Sequence, residues 1–330
     1  MNIIAMGIGP YGNAVAEQLC SNNALSRCIA VCSTKSEFES SKVETKIRVS
    51  TRLSPPDAIE RINGKLSKAC AEADMAVLIA NPIDFANPSI INLIAEHIQR
   101  MNVTLVGVVF NSAKKTDRKH KNSIRNTIER MVNSFATVVI PEGGVVEYTE
   151  PINTRWLHTY TSMWEGRDTI QEQEAFHKWK KTMPASVNSI PKGIQVGTFA
   201  VCRLVNTISA SYVNAEKSNI IDVLSVPGPL HISTVYASGK DRYELIKWRA
   251  SFNDILLTTS HAAKGMLLTL TVPKTMIPDE AGKICLGIYS YANESVNFYF
   301  NINFSEYEDE NEVVAASVIA TGTLDALDDW

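Results

Sequence analysis

The chain has 330 residues, of which 45% are apolar and 20% are charged, and its net charge is −3. This composition is typical of a soluble globular protein, and the length predicts two domains. The small charge excludes a global field that would attract nucleic acid, so nucleic acid is not an expected partner. No stretch approaches the roughly 18 apolar residues of a membrane span. The start MNIIAMGIGP lacks the features of a signal peptide, so we expect a cytoplasmic protein.

The spacing of cysteine and histidine indicates neither a disulfide framework nor a metal centre. No pair of cysteines has C-x-x-C spacing, and several cysteines lie in apolar runs, which indicates buried free thiols in a reducing compartment. The six histidines are scattered, so no metal ion is expected. The cysteines are Cys20, Cys28, Cys32, Cys70, Cys202 and Cys285.

The first half of the chain alternates strand and helix patterns. Apolar runs without alternation predict strands at NIIAMGIG, RCIAVCS, ADMAVLIA, VTLVGVVF and ATVVIP. Helical spacing predicts helices over 57–72 and 122–134, and a further helix in which Asn87 is the N-cap and Pro88 the first residue. Buried strands that alternate with helices predict a parallel sheet covered on both faces.

The second half has a different organisation. Residues 149–192 break the pattern and predict an insertion or a connecting region, and residues 193–215 then predict one long helix. Strands are predicted at GMLLTLTV, ICLGIYSY, VNFYFNINF and EVVAASVIATG. In the third of these, apolar residues alternate from Val296 to Phe304, which indicates a sheet with one covered face.

A glycine-rich stretch, AMGIGPYGNAV, follows the first predicted strand. Gly7, Gly9 and Gly12 have G-x-G-x-x-G spacing, which lets a backbone approach a pyrophosphate at a helix N-terminus. The second strand ends in CSTK rather than in an acid, and residues 33–35 suit a 2′-phosphate. An NADP-dependent oxidoreductase is therefore one alternative, and a glycine turn without a ligand is another.

A series of short motifs runs in one order along the chain: GIGPYGNAV, ADMAVLIA, VVIP, the helix at 193–215, SNIIDVLSVPG, ASGKDR, AAKGMLLTL and SVIATG. Together they resemble the FtsZ/tubulin superfamily, bacterial FtsZ in particular. The resemblance implies an α/β fold in which a Rossmann-type parallel-sheet domain is joined by a long central helix to a smaller α+β domain with a mixed sheet.

The resemblance also implies boundaries and a site. A degenerate GTPase-like domain is expected over 1–192, with 149–192 as the insertion or connecting region, the central helix over 193–216 and the C-terminal domain over 217–330. Glu142 stands where the family has an Asn that contacts guanine. The expected remnant of the nucleotide site comprises Gly7, Gly9, Gly12, Asn13 and Glu142.

Departures from the family argue against GTP turnover. The family wraps the phosphates with a loop of repeated Gly and Thr, but here NPIDFANPS has no glycine and places Asp84 and Phe85 beside the phosphates. Asp222 matches the first of two acids that position the attacking water, whereas Ser225 replaces the second. Ala113 replaces an acid expected near the γ-phosphate, within a stretch of basic residues. We therefore expect a pseudo-GTPase without catalytic residues.

These features predict an FtsZ-like cytoskeletal or scaffold protein that assembles head to tail with itself, without GTP hydrolysis. Residues 218–226 of one subunit are expected to face residues 7–13 and 81–89 of the next. Fold-level analogy suggests a role in membrane or cell-envelope organisation, with a membrane-associated protein as a second partner. The chain ends at TGTLDALDDW without the linker and tail of FtsZ, so the division-ring role is not carried over.

A GTP-binding FtsZ homologue with a rebuilt phosphate loop remains a further alternative. In that case the first glycine loop, residues 7–13, still holds phosphates while the second loop contributes little. GTP or GDP then binds weakly, and no other cofactor is expected.

Overall fold

The computed structural model describes residues 1–21, 25, 27–85, 87–111, 118–141, 192–212, 215–237, 243, 246, 263–290, 292, 295–304 and 314–322. These residues belong to two compact units. Among the described residues, the boundary between the two units falls within one helix, between Val205 and Asn206. The predicted insertion at 149–192, apart from residue 192, lies outside the described residues, as do Glu142 and Ala113.

The first unit contains a parallel sheet, as the sequence predicts. Its strands lie side by side in the order β3-β2-β1-β4-β5-β6 and all run in the same direction. Every residue of β1 and β4 is buried, which explains why these strands show no polar alternation. The strands are β1 (Ile3–Ile8), β2 (Cys28–Cys32), β3 (Thr45–Arg48), β4 (Met75–Ala80), β5 (Thr104–Asn111) and β6 (Ala136–Pro141).

Helices connect these strands, and two of them begin at a side-chain cap, Thr34 or Ser54. Ser54 accepts a hydrogen bond from the backbone N–H of Asp57, and a proline follows it in the first turn. The helix after β4 begins at Ser89, one residue later than predicted, and Asn87 Oδ1 accepts the Ser89 N–H at 3.2 Å. The helices are α1 (Gly9–Ser21), α2 (Lys35–Ser40), α3 (Pro55–Cys70), α4 (Ser89–Gln99), α5 (Arg118–Ser134) and α6 (Lys192–Tyr212).

The second unit contains a mixed sheet, as the resemblance implies. Its strand order is β7-β10-β8-β9, in which β10 runs antiparallel to β7 and β8, while β9 runs parallel to β8. The elements after α6 are α7 (Lys217–Leu224), β7 (Gly228–Ala237), β8 (Gly265–Val272), α8 (Pro278–Tyr289), β9 (Asn297–Phe304) and β10 (Val314–Thr321).

Two segments of the second unit differ from the predicted secondary structure. The run ICLGIYSY, predicted as a strand, lies mostly in helix α8, because a proline and two acids form its first turn and its buried residues recur at helical spacing. The segment SNIIDVLSVPG, residues 218–228, is matched to a loop of the family, yet it is helical as far as Leu224. In the first case the short apolar run fits a strand or a helix equally well, so the residues that flank it determine the secondary structure.

Strand β9 buries only part of the face that the sequence predicts, since Phe298 and Ile302 pack against the core. Phe300 and Phe304 are 45% and 41% exposed, whereas Asn301 is only 5% exposed. Asn301 Nδ2 donates to the backbone oxygens of Ala210 and Ser211, each at 3.2 Å, near the C-terminal end of α6. The buried amide thus satisfies helix carbonyls that lack partners within the helix.

The prediction that all six cysteines are free is wrong for one pair. Cys20, near the end of α1, and Cys28, the first residue of β2, form a disulfide. The two cysteines are eight residues apart in sequence, and the packing of the helix against the next strand brings them together. The remaining cysteines are free and buried; they are Cys32, Cys70, Cys202 and Cys285.

None of the helices in the described part of the chain is long and apolar enough to cross a membrane.

Candidate functional site

The glycine loop lies at the point of the first sheet where ligands usually bind. The strand order reverses between β1 and β4, and in open α/β sheets the crevice at the carboxyl ends of such strands takes the ligand. Helix α1 begins at Gly9, directly after β1, and residues 81–85 directly follow β4. Both segments therefore border the same crevice.

The three glycines have a packing role that needs no ligand. A Cβ atom on Gly7 would lie 2.3 Å from the Gly12 carbonyl oxygen, and one on Gly12 would lie 2.2 Å from the Ile79 oxygen. Gly9 has a positive φ of 76°, which L side chains rarely adopt. The G-x-G-x-x-G spacing therefore lets α1 pack closely against β1 and β4.

The carboxylate of Asp84 occupies a hydrogen-bonding position that a phosphate would use. Asp84 Oδ2 accepts the backbone N–H of Tyr11, in the first turn of α1, at 3.0 Å. Pro10, the residue before, has no N–H to donate. Asp84 thus lies beside the glycine loop, as the sequence predicts, and its carboxylate lies at the positive end of the helix.

The ring of Phe85 covers the loop beside this carboxylate. Phe85 is buried, and a Cβ atom on Gly9 would lie only 2.7 Å from its Cε2. On the other side, the Tyr11 ring packs against Phe110, with the ring centroids 4.3 Å apart. A phosphate group that entered here would have to displace the Phe85 ring from the face of Gly9.

A second carboxylate, from Glu37, is bound by residues of the expected site. Asn13 is buried, and its Nδ2 donates to Glu37 Oε1 at 2.5 Å and to the Val31 oxygen at 3.1 Å. Glu37 Oε2 in turn accepts the N–H of Ser33 at 2.8 Å and its hydroxyl at 3.1 Å. Asn13 and Ser33, both proposed to face a nucleotide, thus contact an acid of their own chain.

Sequence reasoning missed Glu37, although a signal for it exists. Thr34 is the N-cap of α2 and accepts the Glu37 N–H at 3.1 Å, so the letters TKSE resemble a capping box. That motif predicts that Glu37 turns back toward the residues before the helix. Lys35, a candidate for a 2′-phosphate, lies 3.4 Å from the Glu39 carboxylate in an ion pair.

The crevice is electrostatically unfavourable for a further anion. Burial raises the pKa of Asp84 to about 6, the Tyr11 N–H lowers it, and the nearby Glu37 carboxylate raises it. A raised carboxyl pKa means that the environment already disfavours one negative charge. Phosphates placed there would add several more.

Two residues matched to the catalytic loop of the family lie on α7 in the second unit. Asp222 is exposed, and one of its carboxylate oxygens accepts the Tyr299 hydroxyl at 3.3 Å. Ser225 is the exposed C-cap of the same helix. The stretch of basic residues that follows Ala113 is partly helical, because α5 begins at Arg118.

Solved structures of two related classes share this architecture. The FtsZ dimer of M. jannaschii, in an empty state, is 17% identical, has a TM-score of 0.65, and aligns over 97% of this chain and 88% of its own. CetZ2 of Haloferax volcanii, as a protofilament bound to GTPγS, is 13% identical and has a TM-score of 0.68. The alignment covers 98% of this chain and 94% of that one. CetZ1 of the same organism, as a GDP-bound monomer, is 12% identical and has a TM-score of 0.62, with 100% of this chain and 97% of that one aligned.

No protein-family model matches the chain, and no curated protein matches it in sequence. The structural neighbours nevertheless align over nearly the whole of both chains. The chain therefore has the α/β fold of the FtsZ/tubulin superfamily. At these sequence identities the likeness shows the fold alone.

Proposed function

We propose that this chain is an FtsZ-like cytoskeletal subunit whose phosphate loop is held closed by its own side chains. The observation that carries the proposal is the hydrogen bond from the Tyr11 N–H to Asp84, with the Phe85 ring packed over Gly9. In this proposal the residues Gly7, Gly9, Gly12 and Asn13 are the remnant of a nucleotide site, and the protein assembles without GTP hydrolysis.

Opening the loop for a nucleotide has several costs. Exposing the Phe85 ring costs about 2–3 kcal/mol of hydrophobic stabilisation. Each charge pair between a phosphate and Asp84 or Glu37 adds about 1–4 kcal/mol of repulsion, depending on how well water screens it. A nucleotide of micromolar affinity has only about 8 kcal/mol of binding free energy. These costs favour a subunit that does without GTP over a homologue with a rebuilt GTP-binding loop.

The residues matched to the catalytic loop support the same conclusion. Asp222 is the only acid of the expected pair, and its carboxylate accepts a hydrogen bond from Tyr299 of the same chain. Ser225, in the position of the second acid, is a weak general base at neutral pH. We therefore propose a pseudo-GTPase, in which these exposed residues of α7 serve subunit contact rather than catalysis.

The proposed assembly is a head-to-tail filament. The solved neighbours include an FtsZ dimer and a CetZ2 protofilament, which supports self-association for a chain of this fold. We propose that residues 218–226 of one subunit contact residues 7–13 and 81–89 of the next. Such a heterologous contact does not close on itself and propagates into a filament.

The division into domains and the cellular role are further parts of the proposal. We propose a domain over 1–192, the central helix over 193–216 and a domain over 217–330. In the cell, the filament would lie in the cytoplasm and organise membrane or envelope through a membrane-associated partner protein.

Sedimentation combined with negative-stain imaging tests assembly. We expect the same filaments without nucleotide, with GTP and with GDP, because the loop that would sense the phosphates is already occupied. Replacing the exposed Ser225 by tryptophan should raise the critical concentration about tenfold, since its bulk costs about 1.4 kcal/mol at a tight contact.

Asn63→Trp is the matched control for this experiment. Asn63 is exposed on α3, outside the proposed contact, so its replacement should leave assembly unchanged. Filaments that form only with GTP, or a monomer at every concentration and condition, would contradict the proposal.

A further inference from the structure

We infer that the first unit has a second binding site, a cationic pocket for a ligand that bears phosphate groups. A cavity of about 420 Å³ lies among the C-terminal part of α1, the start of β2, strand β3 and helix α3. It reaches the first residues of β2 and β3, whereas the glycine loop follows the last residue of β1. Because these strands are parallel, the pocket lies toward their N-terminal ends, whereas the glycine loop lies at their C-terminal ends.

The charge of the pocket is strongly positive. Among the described residues, its lining includes Arg27, Lys46, Lys65 and Lys68, against one carboxylate, that of Glu44. Lys65 and Lys68 are three residues apart on α3, so they lie on one side of the helix. Within the described part of the chain, neither of these two lysines forms an ion pair.

The other two cations are fixed by neutral acceptors. Arg27 Nη2 donates to the backbone oxygens of Ala69 at 2.9 Å and Ala71 at 3.2 Å, where α3 ends. Lys46 Nζ donates to the Phe38 oxygen at 3.2 Å. These bonds orient the two side chains without cancelling their charges, so the positive potential in the pocket remains for a ligand.

The frame of the pocket is covalently held. The Cys20–Cys28 disulfide lines the cavity and links the end of α1 to the start of β2, next to Arg27. Arg27 in turn connects β2 to the end of α3 through its hydrogen bonds. A preformed arrangement of cations binds an anion more tightly, because less side-chain freedom is lost on binding.

The dimensions and chemistry point to a small polyanion. Small-molecule pockets have volumes of about 300–1,000 Å³, and this cavity falls within that range. Arginine and lysine together are the usual ligands of phosphate oxygens. Four cations against one carboxylate suit a ligand with two phosphate groups, either a soluble phosphorylated molecule or the phosphate headgroup of a lipid.

Calorimetric titration with inorganic pyrophosphate tests the site. We expect pyrophosphate to bind the wild type with a Kd below about 1 mM. In the Lys65→Ala/Lys68→Ala variant the Kd should be at least about tenfold higher. Glu44→Gln should tighten binding about threefold, because it removes the opposing charge. A Lys121→Ala/Lys274→Ala variant removes two exposed lysines from outside the pocket and should bind like the wild type.

A sedimentation assay with lipid vesicles distinguishes a lipid headgroup from a soluble phosphorylated ligand. If the ligand is a lipid headgroup, the protein should sediment together with vesicles of acidic phospholipid, and pyrophosphate should compete with the vesicles for the protein. The Lys65→Ala/Lys68→Ala variant should stay in solution. If it is a soluble molecule, pyrophosphate binds and the vesicles do not. The inference is wrong if pyrophosphate does not bind, or binds with equal affinity to the wild type and to this variant.

Discussion

Replacing Gly12 by alanine should lower the free energy of unfolding by about 3 kcal/mol, near the upper end for an overpacked core site. The added Cβ would lie 2.2 Å from the Ile79 carbonyl oxygen, where backbone rather than a flexible side chain must move. The loss should appear as a lower midpoint in urea unfolding, with an unchanged dependence on denaturant.

Gly64→Ala is the matched control for this prediction. Gly64 lies within α3, and a Cβ atom there would have no neighbour within 4 Å. Alanine should therefore stabilise the protein by about 0.5–1 kcal/mol, through helix propensity alone. If Gly12→Ala is as harmless as Gly64→Ala, the glycines do not serve close packing, and their spacing would again indicate a working phosphate loop.

Replacing Asp84 by asparagine should stabilise the protein at neutral pH and remove a pH dependence. Burial raises the pKa of Asp84 from 3.8 to about 6, so folding favours the protonated acid. Its stabilising contribution is complete below pH 3.8 and is lost as the pH rises through about 6. Asparagine keeps an oxygen for the Tyr11 N–H without the charge, and the gain at pH 7 is on the order of 3 kcal/mol.

The difference in stability between the wild type and Asp84→Asn isolates this group from other titrations. Measured by urea unfolding, the difference in the free energy of unfolding should grow between about pH 4 and 6 and stay constant above about pH 6. Its final size should be about 1.4 kcal/mol for each unit by which the pKa is raised. Glu60→Gln, at an exposed position of α3, is the matched control for removal of a carboxylate and should change the stability by less than about 0.5 kcal/mol. A difference that does not change with pH would show that Asp84 is not held in a desolvated environment.

Much of the first unit could be predicted from the sequence because its central strands are buried on both faces. In β1 and β4 every residue is buried, so an unbroken apolar run reports the structure directly. The second unit offered weaker signals. The sequence predicts a strand for part of helix α8, because the apolar residues there are crowded within one short run. Strand β9 buries Asn301 for its hydrogen bonds to α6, which no hydrophobic pattern can reveal.

The candidate site was only partly predictable, for a similar reason. The family resemblance places Asp84 and Phe85 beside the glycine loop, but not the direction in which the carboxylate points. The bond from Asn13 to Glu37 and the disulfide of Cys20 with Cys28 join residues on different elements. Contacts of this kind depend on how the elements pack, so they became visible only in three dimensions.

A GTP titration tests the central claim most directly, because it asks whether the chain's own side chains close the phosphate loop. Equilibrium binding of fluorescent GTP should be compared between the wild type and an Asp84→Ser/Phe85→Ala variant. Circular dichroism should first show that both proteins are folded. The wild type should show no binding up to about 1 mM, and the variant should bind at least about tenfold more tightly. Micromolar GTP binding by the wild type would contradict the account.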